Sequence, residues 1–238
     1  MGENNYILNV DDINENIKIF DENEKYKEFV LKALFDKYKW NISYYEILIK
    51  VTTLNTLYSA GLNNSEGKKT IDVVTMARHI LLEPNFDSWL TSDDEKDNYK
   101  AYDYIASGVS AIRDGHYNKC KAFASKYCHW HRPEVFPIMD SRAKSNLYNF
   151  IDINDISDAK VNGWDKIKKD DFSDYNLFWE VFKEFKKYIN EKLIGEEKYS
   201  IKDIDKLLWQ YGRPKEEKTT SKEEIEGREN QGEKSKDS

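Results

Sequence analysis

Apolar side chains recur along this chain at the spacing of a helix and hardly anywhere at the spacing of a strand, and that period limits what it can fold into. Tyr26, Phe29, Val30, Ala33, Leu34 and Tyr38 share the expected inner face of a helix over about 23–39. Tyr45, Leu48, Ile49, Leu54 and Leu57 do the same over about 43–59, with Ser43 as its candidate cap. IDVVTMARHILL reads as a third helix, and Tyr99, Tyr102, Ile105, Ala106 and Val109 mark another over about 96–113. Further helices are expected over about 120–129, after Asp140, over about 175–193, and after Ser200, where Ile204, Leu207, Leu208 and Trp209 point inward. EPNFDSWLTSDDEKD reads as a loop.

No β-branched alternation demands a sheet, and no repeat period suggests a solenoid. The fold class expected is all-α: one compact domain of about eight helices over residues 1–213, with a two-lobed division compatible with the same pattern. Beyond Pro214 the composition turns to Lys, Glu, Ser and Thr with Ile225 as an isolated apolar residue, which predicts a disordered charged tail over 214–238. No apolar run has the length of a membrane span. MGENNYILNVDD has neither a basic region nor an apolar signal core, so a cytoplasmic location is expected, with no membrane partner and a monomeric state. Cys120 and Cys128 are the only cysteines, too few for a disulfide scaffold or a four-thiolate metal site.

The stretch from Gly115 to Ala143, GHYNKCKAFASKYCHWHRPEVFPIMDSRA, concentrates the chemistry. Phe123, Ala124, Tyr127 and Cys128 fall on one helical face, and Pro133 stops that helix. A short apolar piece then delivers Asp140 to the start of the next one. The chain carries a formal net charge of −7, yet between Ala111 and Leu147 seven basic residues stand against three acidic ones. Such an island can attract a phosphate-bearing ligand. A zinc site from His116, Cys120, Cys128, His129 and His131 is poorly phased, because His129 and His131 are two apart and do not share a helical face; no metal and no cofactor are expected. From pattern alone Asp140 is either a helix cap or a functional carboxylate beside a lysine, with Lys119, Lys121 and Lys126 as the nearby amines.

AFASKYCHWHRPEVFPIMDSRA resembles the helix-hairpin-helix DNA glycosylase superfamily, in which a hairpin and helix precede an apolar segment ending in the catalytic aspartate. It is most similar to the archaeal 8-oxoguanine glycosylase type, with Ala124 and Ser125 at the Ala-Ser pair of the helix and Asp140 at the aspartate. Where the bifunctional branch carries its catalytic lysine this chain has Ala122, with Lys121 beside it, so Lys121 is the second catalytic candidate and base excision without a lyase step is favoured.

The resemblance implies DNA containing a damaged or modified base as partner, the base being flipped into a pocket. It implies backbone contacts from Gly115, His116, Lys119, Lys126, His129, His131, Arg132 and Arg142. A non-catalytic DNA-binding or defence accessory protein of the same fold is the alternative.

Overall fold

The computed structural model describes residues 7–62, 71–107, 120–154, 156 and 167–213. Among them every regular element is helical: α1 (Val10–Lys37), α2 (Tyr44–Tyr58), α3 (Val73–Leu81), α4 (Phe86–Thr91), α5 (Glu95–Ser107), α6 (Lys121–His131), α7 (Ser141–Ile153), α8 (Tyr175–Lys187) and α9 (Ile201–Gln210). A 3-10 turn at Lys169–Ser173 leads into α8, and a π-helical turn at Tyr188–Ile194 follows it. Gly115, His116 and Lys119, and the tail from Pro214, lie outside the described residues.

α1 starts well before the expected helix. Asn9 caps it by accepting the Asp12 N–H at 2.8 Å, and Asp11 and Asp12 in the first turn oppose the positive helix end. Its buried face is also only in part the expected one: Ile13, Phe20, Glu24, Leu31 and Phe35 go inward, whereas Tyr26 (66% exposed) and Phe29 (72% exposed) face out. α1 is apolar on two sides, and packing against α9, α2 and α6 selects between them. The same rotation occurs in α2, which buries Ile47, Lys50, Val51 and Leu54 and turns Tyr45 and Ile49 outward. Ser43 occupies the cap position of α2 without a capping hydrogen bond from its side chain.

The expected loop before α5 contains a helix of its own, α4, whose Phe86 and Leu90 join the core. Phe123, Ala124, Tyr127 and Cys128 of α6 are fully buried as their spacing predicted. α6 lies against α5, α1 and α2, and the loop after it brings Phe136 and Met139 into the same core. α9 closes the arrangement by packing on α1 and α7, held at its start by Ser200, which accepts the Asp203 N–H while the Asp203 carboxylate accepts the Ser200 N–H. No helix among the described residues is long and apolar enough to cross a membrane.

One polar knot sits inside this packing. The Lys50 side chain is fully buried, and its ammonium donates to Tyr38 O at 2.9 Å, Trp40 O at 3.3 Å and Asn41 Oδ1 at 2.7 Å. Asn41 is itself held by Asp87 and receives the Tyr127 hydroxyl. Burial pulls the Lys50 pKa down to about 7, against the attraction of Asp87 and Glu46. The knot ties α2, α4 and α6 together, and its buried polar groups satisfy one another.

Candidate active-site cleft

Asp140 caps α7 because the apolar piece ahead of it cannot continue as helix and the next residues can. Its Oδ1 accepts the N–H groups of Arg142 at 3.1 Å and Ala143 at 2.9 Å. Its Oδ2 is left free of the cap and lies 3.3 Å from the Lys126 ammonium. The cap and the functional carboxylate, alternatives in the sequence, therefore occupy the two oxygens of one side chain. Ser125 fixes the approach: its hydroxyl accepts the Met139 N–H at 3.0 Å, pinning the residue before Asp140 to α6.

The carboxylate opens into a narrow cleft of about 30 Å³, room for about one water, formed where α1, α2, α6, α7 and α9 converge. Phe20 and Trp209 form one wall, their rings edge to face at 5.1 Å. Tyr58 forms the other, donating its hydroxyl to Glu28 at 2.6 Å while Glu28 pairs with Lys202 at 2.5 Å. Lys126 is buried under the Tyr58 ring, with its Nζ 5.7 Å from the centroid. Arg142 lies by the Trp209 wall, donating to Trp209 O at 3.2 Å and stacking over its ring.

Two further groups line the floor. His129 is buried, and its Nδ1 hydrogen-bonds Phe136 O at 2.7 Å; desolvation holds its pKa down at about 3, so the ring is neutral. Asp205 of α9 accepts the Ile138 N–H at 3.0 Å through Oδ1. Burial, with Asp140 adding to it, pushes the Asp205 carboxyl well above the usual carboxylate range.

The residues expected to work together are dispersed by the fold. Lys121, the second catalytic candidate, donates to Ser173 O in a separate polar depression with Tyr99, Tyr102 and Asp103. Lys126, expected either as an amine beside Asp140 or as a phosphate contact, takes the place beside Asp140. His129 does not reach the surface expected of a phosphate contact, because its imidazole serves the core side of the cleft. His131 is partly buried with Nε2 3.3 Å from the Lys50 ammonium, turned toward the knot. Arg132 donates to Ser92 O at 2.7 Å and to Glu134 at 2.9 Å, so its guanidinium is engaged near the start of α5. Asp205 and Glu28 were not among the candidates. Asp205 falls on the apolar arc of α9 between Ile204 and Leu207, a charged residue at an inward position. No group of three or more His, Cys, Asp or Glu among the described residues is arranged to hold a metal ion.

Comparison with known proteins gives a family but no activity. The chain is 27% identical over 152 residues to an uncharacterized protein of Haemophilus influenzae, a match covering 63% of this chain and 62% of that relative's length. No solved structure matches. Residues 12–135, which run from α1 to the loop just before Asp140, match the family model HI_0787_N, described as an N-terminal domain, and the chain belongs to that family.

Proposed function

We propose that this protein is a DNA base-excision glycosylase of the two-lobed helix-hairpin-helix type, hydrolysing the N-glycosidic bond of a damaged or modified base. The observation that carries the reading is the division of labour within Asp140: Oδ1 is spent on the α7 cap, so Oδ2 is held rigid in an aromatic-walled cleft. A fixed carboxylate stabilises the positive charge that develops on the sugar as the bond breaks, and a fixed group needs no reorganisation in the transition state. Phe20, Tyr58 and Trp209 would part to admit a flipped base between aromatic walls, and Lys202, Lys206 and Arg142 supply positive charge around the carboxylates for the flanking phosphates.

The Lys126 contact supports a second reading, in which excision is followed by strand cleavage: a buried amine 3.3 Å from Asp140 is placed to attack the same sugar carbon. The test is a panel of duplexes, each carrying one modified base, scored for released base, for abasic sites opened by alkali, and for borohydride-trapped adduct. Base release with alkali-dependent breaks and no adduct supports the first reading. Trapping that disappears in Lys126→Gln supports the second, and no release from any duplex removes both.

A further inference from the structure

Asp140 is not the only carboxyl in the cleft, and the second one is held in an opposite way. Asp205 is 7% exposed and reaches the cleft from α9, on the far side of the chain from the segment that delivers Asp140. Its Oδ1 is tied to the backbone of Ile138, two residues before Asp140, so both carboxyls hang from one short piece of chain. Its Oδ2 is buried without a hydrogen-bond partner. That oxygen lies 3.2 Å from His129 Nδ1, but the imidazole N–H is directed at Phe136 O at 2.7 Å, and a neutral ring gives no ion pair. An ionised Asp205 would therefore bury a charged oxygen that receives no hydrogen bond, which is costly. A protonated Asp205 keeps its bond to Ile138 and carries an O–H on the buried Oδ2, just beneath the cleft floor.

We propose, building on the glycosylase reading, that Asp205 is the general acid of this site and protonates the departing base while Asp140 faces the sugar. The groups around it are Glu28 from α1, Lys126 and His129 from α6, Asp140, and Lys202 and Lys206 from α9 itself. Asp140 and Glu28 oppose ionisation of Asp205, while Lys202 and the Ile138 N–H favour it, and desolvation outweighs them. Asp205, which burial keeps protonated, and Asp140, held at the α7 cap, divide the acid and charge-stabilising roles between them. In the step itself the C1′–N bond breaks and its electron pair goes to the base nitrogen system. Asp205 transfers its proton to the base and becomes carboxylate. Water adds to C1′, its released proton passing through Asp140 to solvent, and Asp205 is reprotonated from solvent. The net change is addition of one water across the bond.

An acid matters most to a base that leaves poorly. Single-turnover release from duplexes carrying 8-oxoguanine, hypoxanthine or uracil should fall on the order of 100-fold or more in Asp205→Asn for the purines and clearly less for uracil, with DNA affinity retained. The basic limb of the wild-type rate profile should vanish in the variant. Infrared difference spectra of the free protein at neutral pH should show a protonated carboxyl band that Asp205→Asn removes. Wild-type excision with unchanged purine rates in Asp205→Asn overturns this assignment alone, whereas no excision by wild type overturns the glycosylase reading with it. An ionised Asp205 at neutral pH overturns the acid role whatever the activity.

Discussion

His131 should make the fold acid-sensitive, and the size of the effect follows from where the ring sits. Its Nε2 faces the Lys50 ammonium at 3.3 Å, and burial together with that positive charge holds its pKa well below the ordinary value of 6.5. Below 6.5 the unfolded chain takes up a proton that the native ring refuses, so the contribution to stability is complete above that pH and is lost as pH falls. Proton uptake by the unfolded ring, RT ln(1 + 10^1.5), sets a ceiling of about 2 kcal/mol on that loss between pH 8 and pH 5.

Other groups titrate in the same window, so the comparison is with His131→Gln, which keeps a polar side chain and cannot titrate. Urea unfolding of both proteins gives the stability gap between them at each pH. The variant should be the less stable protein at pH 8 through its lost contacts, and the gap should shrink on acidification, by up to about 2 kcal/mol at pH 5. A gap that is constant or widens on acidification would refute the neutral, Lys50-facing imidazole.

Three other outcomes test the packing and the surface. Phe35→Ala should cost roughly 3–5 kcal/mol in urea unfolding and Phe29→Ala less than about 0.5 kcal/mol, because only the first faces the core; equal costs would contradict the observed face of α1. Arg142→Gln should weaken binding to a duplex with an abasic analogue and reduce its salt slope by about 1, since the guanidinium lies by the cleft wall. Arg132→Gln should leave that slope unchanged, because Ser92 and Glu134 already hold its side chain; a slope that falls would put Arg132 on the DNA.

How much of this was legible in the sequence depended on whether a local rule or a distant partner decided each residue. The helical period set the fold class, and the Asp140 cap and the buried face of α6 followed from neighbouring residues. The expected faces of α1 and α2 hold only in part: Leu34, Leu48, Leu54 and Leu57 pack inward while Tyr26, Phe29, Tyr45 and Ile49 face out, because both helices are apolar on two sides and packing selects between them. α4 was missed because six residues between Pro84 and Asp93 give too short a period to register.

The site shows the same division. Asp140 is announced by its local setting, but which of the nearby amines meets it is not: Lys126 does so because the chain reverses after Pro133. Asp205 meets the Ile138 backbone across 67 residues of sequence, which no local pattern encodes. A signal was nonetheless present, since Glu24, Lys50 and Asp205 each fall inside an apolar helical stripe, and all three are buried. A charge at an inward position marks a group that must find a partner or a use.

The central claim is that Oδ2 of Asp140 acts on the sugar of a flipped nucleotide, and a comparison of wild type with Asp140→Asn tests it most directly. Asparagine retains an oxygen to cap Arg142 and Ala143, so the fold and the affinity for an abasic-analogue duplex should be kept within about threefold, while the missing negative charge should lower single-turnover base release on the order of 1,000-fold. Release at the wild-type rate by a folded, DNA-binding Asp140→Asn protein would contradict the account.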